Sequence, residues 1–181
     1  MFIFWLLVAA VGALYLAMMV LTVPVLLREA GGLKPFDFRP FGYSFHDVQT
    51  YLGAISEEGL ATYLGLQHQL DLVFPLALAA MFVVGFRRFL GPVAGLVMSV
   101  VAVAGAIADY SENALIATIL TEPASRDQVV LASALTVFKS LSATLCFGVM
   151  IWVGVQWWRS RPARKPKRKT PRRKGGRKAG K

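Results

Sequence analysis

Four long apolar runs constrain this chain more than any other feature. They cover residues 2–27, 60–86, 89–120 and 129–158 of the 181-residue sequence. Each exceeds the roughly 18 residues that a helix needs to cross a bilayer. Inside hydrocarbon, a backbone must satisfy its own hydrogen bonds, which restricts such runs to helices. The sequence therefore predicts an all-α polytopic membrane protein, an antiparallel four-transmembrane-helix bundle occupying residues 1–158. The composition agrees, at 56% hydrophobic residues with a mean hydropathy of +0.55. The first run carries no early charge and is too long for a secretory signal, so it reads as a retained span.

Charge is distributed very unevenly. From Arg159 onward there are 13 Lys or Arg and no acid, whereas residues 1–158 hold 7 basic and 10 acidic residues. Cytoplasmic loops carry the positive excess in membrane proteins. The tail and the Arg87–Arg88 pair between the second and third runs are thus expected on the cytoplasmic side. With four spans, both termini are then cytoplasmic, and residues 28–59 and 121–128 face outward. The expected location is the plasma (inner) membrane, multi-pass.

The first outward loop contains "LKPFDFRPFGYSF". Phe36, Phe38, Phe41, Tyr43 and Phe45 suit an interfacial aromatic belt. Ser44 with Asp47 forms a capping-box-like start, and Phe45, Val48, Leu52 and Ile55 follow at helical spacing with Tyr51 beside them. These residues predict a short interfacial amphipathic helix between spans one and two. Ser56 is placed to cap the second span, with Glu57 and Glu58 in its first turn. The loop reads either as an ordered interfacial segment or as a lid over a site.

Ionisable residues inside spans are costly and normally face the bundle interior. Here they are His68, Asp71, Asp109, Glu112 and Lys139. At helical rise, Asp71 lies about 24 Å from Arg87, Asp109 about 32 Å from Arg88 and Lys139 about 30 Å from Arg159. Three helices thus bring charge to one layer in the outer half of the membrane. On the third span, Gly91, Gly95, Ser99, Ala102 and Ala106 form a small-residue stripe suited to close packing. Asp109 and Asn113 continue that stripe, with Glu112 beside it. On the second span, Gln67 and Asp71 share a face. Pro75 removes the amide that would bond the Asp71 carbonyl, which implies either a polar pocket or a packing kink. Three acids against one Lys exceed charge balance, so a proton on a carboxyl or on His68 is expected.

The candidate polar site is therefore Asp71, Asp109, Glu112 and Lys139, with Gln67, His68 and Asn113 as hydrogen-bonding support. Such groups can exchange protons or bind a cation. No HExxH, CxxC, DxD, GxSxG or P-loop pattern occurs, so no metal, no other cofactor and no particular catalytic residue is expected. Cys146 has no intrachain partner and reads as a small apolar packing residue. The tail from residue 159 to 181 is expected to be disordered. Its Arg159, Arg161, Arg164, Lys165, Lys167, Arg168, Lys169, Arg172, Arg173 and Lys174 suit anionic membrane lipid. It has no aromatics to stack on bases, which argues for lipid over nucleic acid.

The runs "PFDFRPFGY", "YLGLQHQLDLVFP" and "DYSEN" resemble a group of small, uncharacterised four-span membrane proteins, mostly bacterial. The resemblance covers residues 1–158 and implies the four-span fold, with no activity attached. A weaker architectural likeness is to four-helix isomerase and sterol-binding proteins of the EXPERA type, which also gather acids in a membrane cavity. No residue-by-residue match supports carrying over their function. Two functional expectations follow. One is a buried acidic site near the outer leaflet that binds a lipid-like or cationic ligand or relays protons. The other is a non-catalytic scaffold whose buried ion pairs fix helix packing and whose tail docks anionic lipid or a partner.

Overall fold

The computed structural model describes residues 1–160, which form helices and no strand. Four of the helices are long and apolar enough to cross a membrane: α1 (Phe2–Glu29), α3 (Glu57–Phe89), α4 (Pro92–Thr121) and α5 (Arg126–Arg159). A shorter α2 (Phe45–Ala54) lies between the first two. Large side chains such as Leu76, Ile107 and Leu141 remain exposed on the long helices, as expected of surfaces that meet lipid.

The helix ends follow local chemistry. Ser44 and Asp47 form a reciprocal capping box at the start of α2, and Ser125 with Gln128 does the same for α5. The Ser56 hydroxyl accepts the Gly59 amide, so α3 begins at Glu57, earlier than the apolar run that announced it. Phe89 closes α3 instead of opening the next span, because Gly91 and then Pro92 supply the N-cap and first turn of α4. Arg87 and Arg88 occupy the last exposed turn of α3.

Helix α1 packs on α3, α3 on α4, and α4 on α5. At the Arg87 end, Phe4, Val11, Phe82, Phe86, Ala102 and Cys146 form one buried cluster. At the loop end, Leu26, Phe36, Val48, Tyr51, Ile119 and Val129 belong to another. Gly95 is required where α4 crosses the end of α3: a β-carbon there would stand 2.9 Å from the Phe86 carbonyl oxygen. Ser99 and Ala102 continue the buried stripe. Gly91 does not belong to it; it is an exposed cap with open space around it.

Two π turns interrupt the helices, at Met18–Thr22 in α1 and Tyr63–Gln67 in α3. They pack against one another and place Thr22 and Gln67 in contact. Proline disturbs α3 further along at Pro75, one turn beyond Asp71. The Tyr110 hydroxyl of α4 reaches this region and donates to the Leu72 carbonyl at 2.7 Å. This bond lies next to the Asp71 carbonyl that Pro75 leaves without its helical amide.

The loop before α2 is a built plug. Arg39 donates through Nε and Nη2 to the Lys34 carbonyl, at 3.0 and 2.9 Å, and lies over the rings of Phe36 and Tyr51. This clasp holds a 3₁₀ turn at Phe36–Phe38. Gly42 has φ +86° and faces Ser133 of α5, whose hydroxyl accepts the Tyr43 amide at 2.8 Å. The expected aromatic belt is accordingly divided. Phe36 and Tyr43 are core, Phe38 and Phe45 are half-buried, and Phe41 alone of the five is fully exposed, at 97%. The turn folds Phe36 inward, where its ring meets Tyr43 and Tyr51 at a tilt and Tyr63 edge-on. Arg159 ends α5 and is exposed. The other tail residues named for lipid binding, and the disorder expected of them, lie outside the described residues.

Candidate functional site: a lysine cage beside an unpaired aspartate

Lys139 on α5 is the centre of the polar layer. Its ammonium donates to Asp37 Oδ1 at 3.0 Å and Asp109 Oδ1 at 2.9 Å, and forms a close ion pair with Glu112 Oε2. An ammonium has three N–H donors. Two are donated to Asp37 and Asp109, and Glu112 stands in ion-pair contact, so three carboxylates surround the ammonium.

The carboxylates are fixed in turn. Glu112 is wholly buried, and its other oxygen accepts the Thr136 hydroxyl. Asp37 Oδ2 accepts from the Tyr63 hydroxyl at 2.9 Å. Asn113 makes a long contact, 3.4 Å, to Asp109. The cage therefore joins α3, α4, α5 and the plug. Asp37, Asp109 and Glu112 carry oxygens within 4.8 Å of one another, a spacing that suits a metal. The Lys139 nitrogen already bonds all three, so the cation that this triad holds is the protein's own.

Asp71 stands apart from this arrangement. It is only 8% exposed, yet among the described residues no cation lies within ion-pair distance of it. Gln67 Nε2 donates to Asp71 Oδ2 at 2.9 Å, and the Thr22 hydroxyl donates to Gln67 Oε1. Both supporting residues come from the paired π turns, a feature often found at functional sites. The second oxygen, Oδ1, has no hydrogen-bond partner among the described residues. Burying a carboxylate without a counter-charge is costly.

Asp71 lines a cavity of about 200 Å³. Asp37, Asp109 and Lys139 share its polar end. Phe74, Pro75, Leu78, Phe82 and Cys146 form an apolar end. On the other side of Asp71 a small crevice contains His68, Asn113 and Tyr63. Half-buried His68 makes no hydrogen bond among the described residues, so it borders the site without supporting a carboxylate.

The geometry thus gathers Asp109, Glu112 and Lys139 directly, Gln67 and Asp71 beside them, Asn113 loosely, and His68 at the edge. Asp37 was absent from the sequence-derived set, as were Thr22 and Tyr63. The signal for Asp37 was its position between Phe36 and Phe38, in a 3₁₀ turn that buries the first ring and half-buries the second. Around the cage, Tyr43 and Tyr51 bury their hydroxyls without hydrogen-bond partners, and burial pushes both phenols above the usual tyrosine range.

No protein-family model, curated protein or solved structure matches this chain.

Proposed function

We propose that this chain is a multi-pass membrane protein whose intrabundle cavity binds a lipid-like or cationic ligand. The long helices form an antiparallel bundle, with both termini cytoplasmic, and α2 rests as an amphipathic helix at the outer interface. The membrane is the plasma (inner) membrane. In this reading the polar layer lies near the outer leaflet, and the tail meets anionic lipid on the inner side. The family likeness carried by "PFDFRPFGY", "YLGLQHQLDLVFP" and "DYSEN" fits this architecture and supplies no activity.

One observation carries the reading: Asp71 is a buried carboxylate without a cation on the wall of an amphipathic cavity. The Lys139 cage is the frame and Asp71 is the binding group. Positive charge brought by a ligand, or a proton, completes Asp71. The scaffold reading therefore describes Lys139, Asp37, Asp109 and Glu112, and the site reading describes Asp71.

Native mass spectrometry of the full chain, extracted with its lipids, tests this. The wild type should retain a bound small molecule, and Asp71→Asn should lose it while remaining folded. An empty wild-type protein, or equal retention by Asp71→Asn, would contradict the proposal.

A further inference from the structure

The cavity's walls indicate how a ligand enters and what kind it is. Helix α1 packs along α3 but makes no extensive contact with α5. Near the Arg87 end, Phe4 of α1 and Met150 of α5 both reach Gly85 of α3, closing that part of the bundle. Nearer the loop end the two helices are separated by the cavity. Its walls there are Tyr15 and Met18 from α1 and Ser140 and Ala143 from α5, with Phe38 of the plug at one end. Tyr15 is 51% exposed, and Ser140 and Ala143 are half-buried, so this side meets the surface. Those α5 side chains are small, as are Gly105 and Ala106 on the α4 wall.

We propose that the slot between α1 and α5 is a lateral portal to the bilayer, and that the site takes a single-chain alkylammonium amphiphile from the lipid phase. This rests on the reading of Asp71 as the binding group. The ammonium sits against Asp71 Oδ1, which has no partner. Lys139 is ringed by Asp37, Asp109 and Glu112, and this excess of acid repels an anionic headgroup. The apolar end receives the first part of the chain. An apolar cavity of about 150 Å³ holds a benzene-sized molecule. The present cavity, about 200 Å³, takes the headgroup and a few methylenes, and the rest of the chain leaves through the slot into lipid. No covalent step is involved.

The full chain in phosphatidylcholine nanodiscs provides the test, read by native mass spectrometry. Dodecylamine, dodecanol and dodecanoate are added separately, and butylamine serves as a water-borne cation. Dodecylamine should form a one-to-one adduct, with retention about tenfold or more above the neutral and anionic chains, equivalent to 1.4 kcal/mol or more. Asp71→Asn should reduce it by about a hundredfold, as expected when one partner of a buried pair is removed. Ala143→Phe, which fills the slot and leaves Asp71 in place, should also weaken it. The wild-type selectivity needs no variant, so poor folding of Asp71→Asn would leave the test intact. Equal retention of dodecanol and dodecylamine would overturn the proposal. Asp71-dependent binding of butylamine as strong as that of dodecylamine, unaffected by Ala143→Phe, would overturn the portal while leaving Asp71 as a cation site. No amine binding, together with a co-purified ligand that survives Asp71→Asn, would overturn both readings.

Discussion

Asp71 and Lys139 show how two charged residues in one layer come to differ. Lys139 is surrounded by three carboxylates, whereas Asp71 has an amide on one oxygen and no cation in ion-pair reach among the described residues. The support for Asp71 depends on Thr22, which holds Gln67 from α1. Replacing Thr22 with Val should leave the Gln67 carbonyl oxygen buried without its donor, at a cost of about 1–3 kcal/mol. Thermal unfolding in micelles would measure this, and an unchanged melting temperature would show that Thr22 does not hold Gln67. Gly95→Ala should also destabilise, since the new methyl would meet the Phe86 carbonyl oxygen at 2.9 Å. At this scale the sequence was partly legible. Depth counting and the small-residue stripe indicated Asp71, Asp109, Glu112 and Lys139 as one group, from which Asp71 stands apart without an ion-pair partner among the described residues. Asp37 was hidden because its position depends on a loop fold, and loop folds leave no periodic pattern. Thr22 was hidden because a hydroxyl in an apolar helix is common and its partner lies 45 residues away.

Among the elements, the long helices and caps were the most legible parts. Apolar length fixed the four spans, and Ser44, Asp47 and Ser56 marked two helix starts that the structure contains. The π turns were not legible, since the Thr22–Gln67 contact that joins them links residues 45 positions apart. The capping box also makes a pH prediction. Hydrogen bonds from the Ser44 side chain and backbone hold the Asp47 carboxyl below its usual value. A depressed folded-state value means that the stabilisation is present above the ordinary carboxylate range and is lost as pH falls through the folded value. The protection of the α2 amides, taken relative to intrinsic exchange at each pH, should therefore be high at neutral pH and fall below about pH 3–4, the ordinary range of Asp. Ser44→Ala should raise exchange at neutral pH and flatten the profile. Protection in α2 that is independent of both pH and Ser44 would show that packing alone fixes this helix. The plug should respond to Gly42→Ala, because φ +86° and Ser133 both oppose a side chain there.

For the whole molecule, the proposed orientation sets Arg88 on the cytoplasmic side and Glu122 outside. In a Cys146→Ala background, Arg88→Cys should react with an impermeant maleimide only after cells are opened, and Glu122→Cys should react in intact cells. The opposite pattern would invert the topology. The central claim is that frame and site are separate, although both lie in one acidic layer. Thermal unfolding of the wild type, Lys139→Met and Asp71→Asn in the same micelle tests it most directly. Lys139→Met leaves Asp37, Asp109 and Glu112 gathered without their cation, so it should lose about 3–5 kcal/mol. Asp71→Asn keeps an acceptor for Gln67 and removes an uncompensated charge, so the ligand-free protein should melt at the wild-type temperature or above it. A loss in Asp71→Asn as large as that in Lys139→Met would contradict the claim and make Asp71 part of the frame.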